Sequence, residues 1–371
     1  MRSSATDRPT LPSHSPVTIV GAGPVGLLLA CLLGEQKREV QVIEQRLRPP
    51  KGSMAIGITP PSLDILDRLD LKSEFVRNGV MIRNARIFEN RQPVGELNFR
   101  DSENSILSFP QIGTIELLEK KAATYDTVRI KRGKAFTEED LKNAPGWVIA
   151  CDGSHGSLRE TAGIGGTGSF YGVSFVMADF PDLEGLGADA RLYFSAAGAV
   201  ESFPLPGSKR RWIAQVPRDA ELQTLMDRVE AAAGIDLRNR SSSPLCSFSP
   251  RWFLADTFRR GNVFLCGDSG HVMSPIGGQG MNTGFGDAMM LSEILQHPDP
   301  AAQAAYTRER RRAFRIAARR AALGMWLGTR KGPAASLLRA WGLKTGLRAP
   351  WTQQTLVRSF SMRNLPHPCN P

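Results

Sequence analysis

The chain has 371 residues, 41% of them hydrophobic and 22% charged, an ordinary globular composition with room for about two or three domains. No apolar run reaches the ~18–20 residues of a membrane span. The five cysteines (Cys31, Cys151, Cys246, Cys266, Cys369) are scattered without a CxxC, which argues against a disulfide framework or a zinc knuckle and for a reducing cytoplasm. The formal charge is +11, yet 14 of the 47 Lys+Arg and only one of the 36 Asp+Glu, Glu309, lie beyond residue 300, so the basicity belongs to the C-terminal segment. No helix-turn-helix, zinc-finger or RNP pattern accompanies it, and no nucleic-acid partner is expected.

Residues 1–16 are polar and Pro/Ser-rich, lack the apolar stretch of a secretory signal and read as a disordered lead. The β-branched run 16–20 predicts a buried strand, Pro24 to Gln36 an all-round apolar helix, and Val40 to Glu44 the next strand. A βαβ unit this compact calls for a parallel sheet with a right-handed crossover. Pro60 to Leu69 reads as helix, residues 80–110 as antiparallel strands, and Ile115 to Thr124 as helix. Thr137-Glu138-Glu139-Asp140 opens a short capped helix. Trp147 to Cys151 is a buried strand. From Phe170 to Phe253 strands alternate with Pro/Gly turns, and Pro204 to Ser208 marks a hairpin. Val263 to Cys266 returns to a buried strand, and the chain beyond Gln279 is mostly helical.

Three segments carry chemistry. Gly21-Ala22-Gly23-Pro24-Val25-Gly26 is GxGxxG with a strand before it, a helix after it, and Glu44 at the end of the second strand. The glycines let backbone approach a pyrophosphate, the helix N-terminus offers N–H donors, and Glu44 is expected to accept both ribose hydroxyls. The second segment is Asp152-Gly153-Ser154-His155-Gly156-Ser157-Leu158-Arg159, and the third is Gly267-Asp268 with Pro275-Ile276-Gly277-Gly278-Gln279-Gly280-Met281-Asn282. Each Asp follows a buried strand, where a side chain faces the ligand crevice. A further GxGxxG, Gly163 to Gly168, has no strand before it and is expected to be a loop.

Together these segments resemble the aromatic-hydroxylase family of flavoprotein monooxygenases, the para-hydroxybenzoate-hydroxylase-like fold, over residues 17–325. The resemblance implies non-covalent FAD held by Gly21, Ala22, Gly23, Pro24, Val25, Gly26, Glu44, Gln45 and Arg46 on the adenosine side. Gln111 would contact FAD, Asp152 to Arg159 would serve FAD and a transient NAD(P)H, and Gly267 with Asp268 would hold the ribityl chain. Pro275, Gly278, Gln279, Gly280, Met281 and Asn282 would line the isoalloxazine. The family often places an Arg near Ser53-Met54-Ala55; here Met54 stands there, with Lys51 or Arg48 as substitutes. The stretch from Ile130 to Trp147 is short, as if a β-meander were trimmed to a small helix. His271 is expected to be a structural hydrogen-bonder.

The implied fold class is α/β. Residues 17–79, 111–170 and 259–325 form a discontinuous Rossmann-like FAD-binding domain, and 80–110 with 171–258 form a β-rich substrate domain. Residues 326–371 form a basic helical segment. The implied reaction is NAD(P)H- and O2-dependent hydroxylation of an aromatic or quinol-like ring through a flavin C4a-hydroperoxide. An epoxidase or reductase of an unsaturated lipid and a FAD-holding binding module are the alternatives. Tyr193, Phe203, Pro204 and Trp212 are candidates for the substrate wall, and the sequence names no catalytic base. A serine elbow, HExxH, a redox cysteine pair and the halogenase Trp-x-Trp-x-Ile-Pro run are all missing. No metal is expected. The Arg-rich segment from Arg308 to Lys344, interleaved with Trp and Leu, reads either as a solvated closing helix or as a contact with an anionic membrane or an acidic carrier protein. The expected location is cytoplasmic, soluble or peripheral to a membrane.

Overall fold

A computed structural model describes residues 11, 12, 14–50, 55–101, 103–275 and 278–364. The expectations for Lys51, Met54, Ile276, Gly277 and Cys369 lie outside these residues. The chain opens with β1 (Val17–Val20), α1 (Pro24–Glu35) and β2 (Val40–Glu44). Leu27, Leu28, Leu29, Cys31, Leu32 and Leu33 are all buried, so α1 is a core helix with no solvent face. Next come β3 (Gly57–Ile58), α2 (Pro60–Arg68), α3 (Lys72–Asn78), β4 (Val80–Ile82), β5 (Asn84–Glu89), β6 (Gln92–Asn98), β7 (Ile106–Ser108) and α4 (Gln111–Ala122). Between β8 (Val128–Arg132) and β9 (Trp147–Ala150) stands only α5 (Glu138–Lys142), opened by a capping box between Thr137 and Asp140.

After α6 (Leu158–Thr161) the chain becomes strand-rich: β10 (Gly166–Phe170), β11 (Ser174–Pro181), β12 (Ala190–Ser195), β13 (Gly198–Leu205) and β14 (Lys209–Val216). Helix α7 (Leu222–Ala233) precedes β15 (Cys246–Phe248), β16 (Arg251–Ala255), β17 (Arg259–Arg260), β18 (Val263–Leu265) and β19 (His271–Val272). The chain ends in α8 (Gln279–Gln296), α9 (Pro300–Thr329), α10 (Pro333–Gly346) and α11 (Pro350–Phe360).

The fold is α/β. A six-stranded sheet runs β17-β18-β9-β1-β2-β8, with β18, β9, β1, β2 and β8 mutually parallel. Its core includes Ile19, Val42, Ile149 and Phe264, packed with residues of α1, α4, α8 and α9. A seven-stranded sheet runs β15-β11-β14-β13-β12-β5-β6, antiparallel except for the β12–β5 pair. Two small sheets, β3-β7-β4 and β10-β16-β19, complete the set.

Three expectations change. The second glycine-rich match is not a loop: Gly166–Phe170 is β10, paired antiparallel with β16. Its small residues let two backbones meet, since a Cβ on Gly168 would stand 2.5 Å from the Trp252 carbonyl oxygen. The stretch from Phe170 to Phe253 is not strands alone, because α7 buries Leu225 and Val229 against one face of the large sheet. The C-terminal segment is not set apart. Helix α9 runs unbroken through residue 325, and Leu343, Leu347, Leu356 and Val357 of the last helices and their turn pack on β5, β6 and β12. Among the described residues no helix is long and apolar enough to cross a membrane, and no group of three His, Cys, Asp or Glu could hold a metal.

Candidate functional site

The first glycine turn divides its labour by position. Gly21 has φ +111°, and a Cβ there would stand 2.3 Å from the Cys151 carbonyl oxygen, so it serves the contact between β1 and β9. A Cβ on Gly26 would meet the Gly21 carbonyl at 2.1 Å, which fixes the start of α1 against the turn. A Cβ on Gly23 meets nothing within 4 Å, so open space lies over the N-terminus of α1. The first N–H groups of α1, Pro24 apart, have no intrahelical partner, and no acidic residue stands in its first turn. Glu44 clamps the turn. Its Oε2 accepts from Ala22 N–H at 2.9 Å and its Oε1 from Arg46 N–H at 2.9 Å. Each oxygen has one lone pair left, so Glu44 meets a ribose with half the capacity the sequence suggested. Gln45 and Arg46 are exposed beside it.

The second segment is built around its own aspartate. Asp152 Oδ2 accepts from Leu158 N–H at 3.0 Å and so shapes the turn into α6. Its Oδ1 is buried without a protein partner. Burial raises the Asp152 pKa, opposed by the Leu158 and Asp152 N–H bonds and by Arg159. Arg159 lies over the Phe253 ring at 4.3 Å and donates to the Ser269 carbonyl at 3.3 Å, which ties this segment to the third.

The third segment follows β18. Gly267 has φ +69°, and Asp268 is open to solvent at the strand end. Loss of surrounding water nonetheless raises its pKa, helped by Asp287 and against the pull of His271 and Arg251. Gly278, with φ +63°, is the N-cap of α8, and neither it nor Gly280 has a heavy atom within 3.8 Å of an added Cβ. Pro275 is exposed, its carbonyl accepting from Gly278 N–H at 2.9 Å, and Met281 is half-buried. Gln279 is buried with Oε1 unpartnered. The Asn282 side chain is fully engaged elsewhere: it donates to the Gly57 and Gly278 carbonyls at 2.9 and 2.7 Å and accepts from Thr59 N–H at 3.0 Å. It positions α8 on β3. Gln111 acts alike on the other flank, its Oε1 accepting from Ala55 N–H at 3.2 Å.

Sequence reading missed the group that holds this segment. Asp287 on α8 is fully buried. Its Oδ2 accepts from Gly267 N–H at 2.8 Å and lies 2.8 Å from His271 Nε2, while its Oδ1 accepts from Arg310 Nε at 2.5 Å. Burial would raise the Asp287 carboxyl, but His271 and Arg310 overcome it and hold the pKa well below the carboxylate range. His271 is the structural residue expected. Arg310, read as one of a surface row, is a core residue; the available signal was a lone Asp inside an apolar helix. Burial pushes the Cys266 thiol well up, so it is a poor nucleophile.

The substrate-wall candidates divide between the two faces of the large sheet. Tyr193 and Trp212 stack at 6.1 Å in the core under α7. Pro204 is buried, its carbonyl accepting from Ser108 Oγ at 2.6 Å. Only Phe203 points to the opposite face, beside Leu192 and Phe194.

Two helix N-termini, two strand-end aspartates and open space where glycine side chains would be define a dinucleotide-binding α/β protein. The model of the FAD binding domain matches residues 14–321, and the chain belongs to that family. Gly23, Gly278 and Gly280, with the unpartnered Asp152 Oδ1, fit FAD as its cofactor. The chain is 29% identical to a 12-dehydrotetracycline 5-monooxygenase/anhydrotetracycline 6-monooxygenase of Streptomyces rimosus, over 74% of this chain and 61% of that protein. It is 27% identical to a rifampicin monooxygenase of Streptomyces venezuelae, over 74% and 62%. It thus spans about three-fifths of the length of these curated relatives. The fold matches p-nitrophenol 4-monooxygenase from Pseudomonas putida with a TM-score of 0.85 at 19% identity, over 95% of this chain and 99% of that one.

Proposed function

We propose that the protein is a FAD-dependent monooxygenase that uses NAD(P)H and O2 to hydroxylate an aromatic or quinol-like ring. One observation carries this reading: the N-termini of α1 and α8 have open space at Gly23 and Gly280, Asp152 and Asp268 follow the neighbouring strands β9 and β18, and β3 and β7 link the start of α8 to the large sheet. Relatives named for monooxygenation of anhydrotetracycline, rifampicin and pentachlorophenol support it. FAD, when bound, supplies hydride acceptance and oxygen activation. The residues do the rest. Val25 and Gly26 N–H groups would bind the pyrophosphate, with Gln45 and Arg46 on the adenosine side. Asp268 would accept from the ribityl chain, and the start of α8 would favour negative charge on the ring. The 152–159 segment receives the nicotinamide reductant. The test is NAD(P)H oxidation by FAD-loaded protein over a panel of phenols and quinols, with 18O2 and mass spectrometry of the product. Label in the product is expected. Reduction without label marks a reductase, and a flavin that NAD(P)H never reduces marks a binding module.

A surface reading accompanies this one. Trp326, Leu337, Leu338, Trp341 and Trp351 are exposed on α9, α10 and α11, and the Arg330 guanidinium lies 4.6 Å over the Trp326 ring. Arg330, Lys331, Lys344 and Arg348 are exposed around them, with no acidic residue from Arg310 to Arg363. We infer that this outer face meets an anionic membrane leaflet, which suits a lipid-like ring substrate.

A further inference from the structure

Glu201 has no part in the cofactor site, yet its surroundings single it out. It lies on β13, and its cross-strand neighbours are Ile213 on β14 and Leu192 on β12. Side chains alternate along a strand, so Phe203 shares its face while Val200 and Ser202 take the other. Val200 and Trp212 fill the core under α7, so Glu201 looks away from α7.

That second face is closed at three places. At one end Gln215 Nε2 donates to the Thr329 carbonyl at the end of α9 (3.3 Å). Along one side Leu343, Leu347, Leu356 and Phe360 join Leu192, Phe194 and Phe203 in one apolar cluster. At the far end Ser108 of β7 bonds Pro204, and β7 pairs with β3, whose Gly57 carbonyl accepts from Asn282 at the start of α8. Glu201 lies between these closures and still keeps accessible surface.

No described neighbour supplies a countercharge. On β12 the facing residue is Leu192 and on β14 it is Ile213; α9 brings Gly328 and Thr329 to this end. Arg211 and Arg339 are already held, while Arg320 of α9 is half-buried with Nη1 unpartnered. Asp179 takes Arg211 at 2.7 and 2.9 Å, and Glu89 takes Arg339 at 2.6 and 2.8 Å. Burial alone therefore pushes Glu201 up to about 7.

We propose that the face of the large sheet opposite α7 receives the substrate, and that Glu201 is its proton acceptor and selects rings bearing a hydroxyl. This rests on the monooxygenase reading above. The ring hydroxyl donates a hydrogen bond to Glu201 when it binds. During turnover its O–H bond breaks, the proton forms a new O–H on Glu201, and the electron pair stays on the ring oxygen. The ring carbons ortho and para to it become more electron-rich, as oxygen insertion requires. The proton later leaves to water.

The test uses FAD-loaded full-length protein and 4-substituted phenols that stay protonated up to pH 8.5, 4-methylphenol among them, each paired with its O-methyl ether. Perturbation of the flavin spectrum reads binding from pH 5.5 to 8.5, and NAD(P)H oxidation reads turnover. A hydrogen bond to an ionised group predicts phenol binding that strengthens about tenfold as pH rises through 7, with the ether weaker and flat. Glu201→Gln should flatten the phenol profile and leave the ether unchanged, and Glu201→Asp should restore part of the rise. A wild-type profile in Glu201→Gln overturns the proposal, as does a wild-type flavin that no phenol perturbs. Failure to bind FAD or oxidise NAD(P)H would instead bring down the monooxygenase reading itself.

Discussion

Asp287 and Arg310 are joined at 2.5 Å between two helices, both sealed from solvent, and the same carboxylate holds Gly267 N–H. One ion pair therefore fixes α9 to α8 and shapes the turn that presents Asp268. Asp287→Asn leaves Arg310 buried and uncompensated, which costs about 3–5 kcal/mol. Denaturant melts should show that loss, with FAD retention falling alongside. The Asp287 pKa is depressed, so its stabilisation is present above the ordinary carboxylate range and is lost as pH falls through the depressed value. Asp287→Asn should thus remove stability at neutral pH and little in strong acid.

The glycines of the first turn should separate by readout. Gly21→Ala meets both a positive φ and the Cys151 carbonyl, and should destabilise the protein itself. Gly23→Ala meets only open space. Its melting temperature without FAD should match wild type, while FAD affinity drops about tenfold or more by fluorescence titration. Equal FAD affinity would remove the pyrophosphate from that space.

Gly280→Val tests the other end of the cofactor. The nearest atom to an added Cβ is Met273 Cγ at 3.9 Å, so the fold should tolerate the change within about 1 kcal/mol. Flavin reduction, followed by stopped-flow absorbance, should slow far more than stability falls. Asp268→Ala should weaken FAD retention by about 1.5–3 kcal/mol, the worth of a hydrogen bond to a charged group. Because burial raises the Asp268 pKa, wild-type retention should also decline as pH drops through that raised value.

Glu201 carries a stability signature independent of any substrate. Its pKa rises from the ordinary 4.5 to about 7, so the folded state keeps a proton the unfolded chain has released. Stability falls as pH rises through that window. Glu201→Gln should melt like wild type near pH 4 and be more stable above pH 7, by on the order of 1–3 kcal/mol. Identical melts at both pH values would contradict the enclosed carboxylate.

For the outer helical face, flotation with vesicles is the measurement. Binding to phosphatidylglycerol-containing vesicles should exceed binding to neutral ones and weaken with salt. Trp341→Ser with Trp351→Ser should reduce it several-fold. Equal recovery on neutral vesicles, or no salt effect, would remove the membrane, and capture of an acidic carrier protein would replace it.

The parallel sheet and the cofactor cleft were legible because strand runs, glycine spacing and the two strand-end aspartates are local signals. The sheet of β5, β6 and β11 to β15 was readable as strands but not as two faces. Which face Tyr193, Phe203 or Glu201 takes depends on where α7 and α10 settle, and no local pattern states that. Asp287 and Arg310 were hidden for the same reason. Their meeting is a contact between helices 23 residues apart in sequence, visible only once α8 and α9 pack. Spacing locates a side chain without counting the bonds it has already made, and Asn282 and Glu44 spend much of their capacity inside the protein.

Helix α9 runs from the Arg310 joint to the Thr329 contact with Gln215, 19 residues and ~28 Å at 1.5 Å per residue. It works as a strut between the cofactor turn and the substrate wall. A tilt of ~5° about the first joint would carry the second by more than 2 Å. Exchanging the large sheet for that of a relative therefore means moving α9, α10 and α11 with it. A graft that left them behind would cut the Glu89–Arg339 pair and leave the new wall out of register with the flavin.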